Sequence, residues 1–182
     1  MLKVLLVSGS PRAEGNTKTA LNQVLKGIQV KEPQAEVALL DLGKMKLSGC
    51  TNCDACKENG ENCVIPDEGA LLTDKLEEAD VVIIGTPVYY WGMTAQLKTA
   101  IDRLYAKEEQ LRQQKKKLGF LAIGAASVED VQYKMIADQF KCIGDYFGWS
   151  LVFNKAISAF ETGDLAKNSA QLQELEALGQ AV

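Results

Sequence analysis

The sequence contains no histidine. That absence removes Ser-His-Asp and Cys-His catalysis, zincin-type metal sites and every imidazole general base. Long apolar runs are missing too, and none approaches the ~20 residues that a membrane-spanning helix needs. The apolar start, residues 2–7, stops at Ser8-Gly9-Ser10 and lacks a signal peptide's longer core and small-residue cleavage site. A cytoplasmic protein is therefore expected. Positive charge is scarce, with 20 Lys and Arg against 24 Asp and Glu, a net charge of -4 and a pI near 5.0. No broad basic face follows, which argues against nucleic-acid binding as the main task. Aromatic residues are only 7% of the chain, so a cluster of them is informative.

What is present is ordinary in bulk. The 182 residues are 47% apolar and 24% charged, which suits one domain over residues 1–182 able to bury most of its apolar surface. The cysteines are less ordinary. There are five, an odd number, and four lie between residues 50 and 63. Without a secretion signal, such clustering reads as metal or redox chemistry before a disulfide framework.

Strand and helix patterns alternate along the chain. Strands are expected at residues 2–8, 35–41, 81–86, 118–124 and 150–157. Helices are expected at 17–28, 68–78 (Leu71, Leu72 and Leu76 on one side), 94–106, 128–147 and 165–178. The runs VVIIGT and LGFLAIG do not alternate, as strands covered on both faces do not. This predicts an α/β fold with a doubly wound, five-stranded parallel sheet, for which the flavodoxin-like order 2-1-3-4-5 is suited. A cysteine-rich insertion, residues 42–67, follows strand 2. The basic run from Arg112 to Lys117 reads as a solvated helix end, and Cys142 as a small buried hydrophobe.

In such sheets a ligand lies beyond the carboxyl ends of the strands, where the strand order reverses. The loop after strand 1 reads Ser8-Gly9-Ser10-Pro11-Arg12-Ala13-Glu14-Gly15-Asn16-Thr17 and opens a helix. Glycines admit an anion closely, a helix start offers unpaired N–H groups, and Ser10, Arg12, Asn16 and Thr17 add donors. The P-loop lysine is missing and so is G-x-G-x-x-G, so a monophosphate held by hydrogen bonds fits better than a triphosphate with Mg²⁺. The plainer alternative is a strand-to-helix turn capped by Asn16 or Thr17. After strand 3 comes Thr86-Pro87-Val88-Tyr89-Tyr90-Trp91-Gly92-Met93-Thr94. Three successive aromatics there suit a planar, amphipathic ligand such as a flavin ring, though one or two could pack a core or a subunit interface. Gly124-Ala125-Ala126-Ser127 supplies a third wall of small residues.

The spacing Cys50-x2-Cys53-x2-Cys56-x6-Cys63 lets one short loop wrap several thiolates around a single centre. Zinc more often takes two separated C-x2-C pairs or adds histidine. A cluster, zinc or another metal, and free or disulfide-forming thiols all stay open on spacing alone.

Residues 8–17 (S-x-S-P-R-x-x-x-N-T) together with 86–103 (TPVYYWGMTAQLKTAIDR) resemble the NAD(P)H-dependent FMN reductase group of flavodoxin-like proteins. The resemblance implies bound FMN, its phosphate on Ser10, Arg12, Asn16 and Thr17 near Ser8, and its isoalloxazine against Pro87, Val88, Tyr89, Tyr90, Trp91 and Gly92, with Gly124 and Ala125 beside it. Glu14 and Gly15 lie in a stretch that varies in the group, and Asp102-Arg103 reads as structural. The cysteine loop resembles that of the iron–sulfur flavoproteins, a branch of the group, and implies a [4Fe–4S] cluster on Cys50, Cys53, Cys56 and Cys63. The expected function is an FMN-dependent oxidoreductase with no protein catalytic residue, the cofactor supplying the reactive atom. NAD(P)H or a reduced carrier is the expected donor; a quinone, a flavin or another small acceptor is expected to receive the electrons. A cluster-free NAD(P)H:quinone or flavin reductase, a non-enzymatic flavodoxin-like carrier and a metal-binding interaction module are the alternatives. A homodimer or homotetramer is expected, because cluster and flavin could belong to different subunits.

Overall fold

A computed structural model describes all of residues 1–182. Five strands form one parallel sheet: β1 (Lys3–Ser8), β2 (Glu36–Asp41), β3 (Val81–Pro87), β4 (Lys117–Gly124) and β5 (Ser150–Ser158). Their order is β2-β1-β3-β4-β5, the order expected from the alternation of patterns. The three central strands carry unbroken buried runs, in β1 from Val4, in β3 from Val81 and in β4 from Leu118, because helices cover both faces. β5, at one edge, alternates exposed and half-buried residues along most of its length.

Long helices fill the crossovers. On one face α1 (Asn16–Lys31) packs beside α7 (Ser169–Gln180); on the other lie α3 (Gly69–Glu78), α4 (Ala95–Arg103) and α6 (Val131–Phe147). Two core clusters result, separated by the sheet. One is built on Leu5, Val7, Val82, Phe120 and Phe140, the other on Val4, Leu6, Leu21, Ile83 and Leu121. The α1–α7 crossing is set by two glycines. A Cβ on Gly27 would lie 1.9 Å from the Glu176 carbonyl oxygen, and one on Gly179 would lie 2.0 Å from that of Val24. Backbone meets backbone there with no room for a side chain.

Several expectations fail locally. The helix expected over 94–106 stops at Arg103, continues as a 3₁₀ turn over Leu104–Lys107, and is followed by α5 (Glu108–Gln113). The short α2 (Ala55–Glu58), within the cysteine segment, was not expected at all. The helix expected from 128 starts at Val131, because the Asp130 side chain accepts from the Gln132 N–H at 3.0 Å and caps it there. Leu71 is 45% exposed rather than inward; the buried arc of α3 runs through Gly69, Leu72, Thr73 and Leu76. Cys142 is exposed, not buried, since the inward stripe of α6 is Tyr133, Ile136, Phe140, Gly144 and Phe147 and residue 142 lies about 200° from Phe140. The basic run is only partly solvated. Lys116 is buried, and its Nζ donates to the carbonyls of Glu77 and Ala79, closing the end of α3. Burial pushes its ammonium below the usual lysine range.

Candidate functional site

The carboxyl ends of β1, β3, β4 and β5 surround a solvent-open cleft. Strand order reverses beside β1, the position where a parallel α/β sheet leaves a crevice. One wall is the loop into α1 (Ser10, Arg12, Gly15, Asn16, Thr17). The others are Pro87, Val88 and Tyr89 after β3, Ile123, Gly124 and Ala125 after β4, and Ala159 and Phe160 after β5.

The first loop is rigidly mounted. The Gly9 N–H donates to the Gly85 carbonyl at 2.7 Å, and the Leu42 N–H to that of Ser8 at 3.0 Å. Ser10 is buried, and its hydroxyl accepts from the Arg12 N–H at 3.1 Å. Helix α1 begins with Gly15 as its cap and no side-chain hydrogen bond to the first turn. The first-turn N–H groups and the positive end of the helix dipole therefore face the cleft without an internal partner, which suits an anion. The alternative of a turn capped by Asn16 or Thr17 is thereby corrected: both residues lie inside the helix. Asn16 has another task. Its Nδ2 donates to the Glu161 carbonyl at 2.9 Å, and its Oδ1 accepts from Gly163 and Leu165 N–H at 3.1 and 3.2 Å. It thus straps the segment after β5 to α1 and leaves mainly backbone for a ligand. Arg12 is exposed and donates to the Thr162 hydroxyl at 3.0 Å.

The aromatic loop divides. Tyr89 and Gly92 exchange backbone hydrogen bonds at 2.9 and 3.0 Å, so Tyr90 and Trp91 form the tip of a two-residue hairpin turn. Both have positive φ, 47° and 60°, as the type I′ turn requires but bulky residues disfavour. Tyr89 lines the cleft, whereas Tyr90 is 96% exposed, and neither it nor Trp91 and Gly92 is among the lining residues. Ser8, inside β1 and buried, does not line the cleft either. Ile123, Ala159 and Phe160 line it unanticipated, and Gly15 lines it as part of the expected first loop. Phe160 was findable: it comes two residues after the fifth strand, at the sheet end where ligands lie.

The segment between β2 and α3 carries the four cysteines, and Cys50, Cys53, Cys56 and Cys63 line one cavity with Arg103 and Tyr105. The backbone curls there through left-handed residues, Asn52 (φ 53°), Asp54 (φ 56°) and Glu61 (φ 64°). The Asn52 N–H already donates to the Cys50 sulfur at 3.4 Å. Tyr105 holds the curl from outside, its hydroxyl donating to Asp54 at 2.9 Å. Cys50 and Cys53 are exposed, Cys63 half-buried and Cys56 buried. The Ala55 N–H and the Thr51 hydroxyl lower the Cys53 thiol, whereas burial raises that of Cys56. No three metal-binding side chains meet closely enough to hold a single ion. The floor of the loop is an ion pair of Arg103 with Asp67 at 2.8 Å, 1% and 8% exposed. Although burial opposes it, the Asp67 carboxyl is held down at about 2 by bonds from Arg103, Ser48 N–H and Gly69 N–H.

A family model for NADPH-dependent FMN reductase matches residues 2–144. The chain belongs to that family. It is 38% identical over 125 residues to an iron–sulfur flavoprotein of Methanocaldococcus jannaschii, covering 69% of this chain and 63% of that protein. A second iron–sulfur flavoprotein of the same organism is 42% identical over 105 residues, covering 58% and 52%. The chain thus matches between half and two thirds of those relatives' length. Among solved structures, an azoreductase of Bacillus anthracis superposes with a TM-score of 0.71 over the full length of both chains, at 18% identity, a likeness of fold. No helix is long and apolar enough to cross a membrane.

Proposed function

We propose that the chain is an FMN-dependent oxidoreductase that takes electrons from NAD(P)H or a reduced carrier and passes them to a quinone, flavin or other small acceptor. The observation that carries the reading is the pairing, in one cleft, of an uncapped helix start with apolar walls. A flavin mononucleotide has matching halves, a dianionic phosphate and a planar ring. Ser10, Arg12, Thr17 and the N–H groups of Asn16 and Thr17 would hold the phosphate; Pro87, Val88, Tyr89, Gly124 and Ala125 would border the ring. Bound FMN supplies two-electron acceptance and one-electron release. The protein's own residues orient it, border it with Val88, Ile123 and Phe160, and fix its loops through Thr94 and Asn16.

The second half of the proposal is a [4Fe–4S] cluster on Cys50, Cys53, Cys56 and Cys63, which supplies single-electron exchange. Its support is the shared cavity, the overlapping spacing and the names of the relatives. That no three ligands meet closely enough to hold one ion speaks against zinc or another single metal ion; the cluster-free reductase is the second reading. A homo-oligomer belongs to the same reading, since Tyr90 and Phe160 stand exposed near the cleft where a second copy would shield them.

The test is an absorbance spectrum of anaerobically purified protein, with flavin released by denaturation and with iron and sulfide assays. Flavin bands with a broad shoulder and stoichiometric iron support both halves; flavin bands without iron leave the cluster-free reductase; absence of flavin after FMN addition contradicts the whole reading. Oxidation of NADH or NADPH with a quinone separates an enzyme from a carrier.

A further inference from the structure

Arg103 takes no part in the cleft. It ends α4, and its side chain is almost wholly buried. Nη1 is fully used, donating to Asp67 at 2.8 Å and to the Ser48 carbonyl at 2.9 Å. Nη2 is buried and has no acceptor. The guanidinium fits only because residue 69 is glycine, whose Cβ would stand 2.2 Å from Nη2. The same guanidinium lines the cavity of the four cysteines.

A buried cation with a spare donor is costly to leave unsatisfied. Asp67 neutralises the charge, but Asp67 and Ser48 both bond Nη1, so Nη2 keeps a donor with no acceptor inside the protein. A sulfur-containing centre in the cavity that Arg103 lines would supply that acceptor.

We propose that Arg103 is the positioning residue of the cysteine centre: its free Nη2 donates to sulfur of that centre, and its fixed charge raises the centre's reduction potential. The inference rests on the reading that the four cysteines carry an iron–sulfur cluster. One-electron reduction of such a centre adds one negative charge and no proton. A guanidinium stays protonated throughout, so it favours the reduced form over the oxidised one, as hydrogen bonds to cluster sulfur do. Asp67 opposes this through its own charge, while fixing where the guanidinium points.

The experiment is an anaerobic redox titration of the full chain, reconstituted with ferrous iron and sulfide and reduced with dithionite, followed by electron paramagnetic resonance. Arg103→Gln is expected to shift the cluster midpoint to more negative potential, and Arg103→Lys to restore part of the shift. Asp67→Asn, which keeps an oxygen to accept from Arg103, is expected to shift it the opposite way. The flavin midpoint stays put in all three; a variant acting only through a loosened fold would move both. Loaded variants with the wild-type cluster midpoint overturn the inference. Should Arg103→Gln fail to hold iron, Asp67→Asn decides alone, and an unmoved or more negative midpoint overturns it. A wild-type chain that takes up no iron defeats the cluster reading itself and this inference with it; a loaded wild type indifferent to both charges defeats only the role of Arg103.

Discussion

The Thr94 hydroxyl donates to the Gly9 carbonyl at 2.6 Å and accepts from the Leu97 N–H at 3.2 Å. One buried oxygen thus caps α4 and ties it to the loop that opens toward the phosphate site. Thr94→Ala removes the cap and strands the Gly9 carbonyl, at a combined cost of about 2–3 kcal/mol. Its displaced loop should weaken FMN binding about tenfold, the equivalent of ~1.4 kcal/mol. Thr94→Ser should restore most of both. Thermal unfolding and flavin fluorescence titration measure the two effects; a destabilised variant with unaltered FMN affinity would show that the loop does not depend on this bond.

The hairpin tip stores strain that the fold does not need. Tyr90 and Trp91 adopt positive φ and stand in solvent. Replacing them by Asn and Gly, which the turn prefers, should raise stability by about 1 kcal/mol. Turnover of a quinone should fall, because the two exposed rings that follow cleft-lining Tyr89 in the chain are gone. Denaturant unfolding and steady-state kinetics on the double variant check both signs; gain of stability with full activity would mean the aromatics serve neither ligand nor substrate.

Asp67 ties stability to acid pH with a defined sign. Its folded-state value, about 2, lies below the 3.8 it has when unfolded. The stabilisation is therefore complete above about pH 4–5 and is lost as pH falls through the folded value. At pH 7 Asp67→Asn should cost about 2–3 kcal/mol, the difference shrinking below pH 4. Urea unfolding across pH 7 to 3 measures it; a penalty that stays constant across that range would contradict the ionic account.

The cysteines should separate cleanly. Serine at Cys56 or Cys63 should abolish most iron uptake, whereas Cys142→Ser, on the outer face of α6, should leave iron and flavin content unchanged. Iron and sulfide assays on reconstituted protein decide; loss of iron in Cys142→Ser would relocate the centre.

The sheet was legible because three buried runs, β1, β3 and β4, carry no alternation and each is followed by turn residues and a helical stripe. The first loop was legible because its donors, Ser10, Arg12, Asn16 and Thr17, fall in one short stretch between a strand and a helix. Asn16 was only half-read: its side chain answers to Glu161, Gly163 and Leu165, which lie 145 or more residues away, and no local pattern reports such a partner. Lys116 was misread for the same reason: it finds two helix-end carbonyls contributed by α3 and its flank. Cys142 was misread for a local one: about 200° round the helix from Phe140, it lies off the inward stripe of α6. The role of Arg103 emerges only when Asp67, Ser48 and the cysteine loop are folded together.

The central claim is that FMN occupies the cleft with its phosphate at the start of α1. A crystal structure of the chain with FMN tests this most directly. The account predicts the phosphate within hydrogen-bond reach of the Thr17 hydroxyl and the N–H groups opening α1, with the ring bordered by Val88, Tyr89 and Gly124. A cleft left empty at saturating FMN, or a phosphate bound away from that helix start, would contradict it.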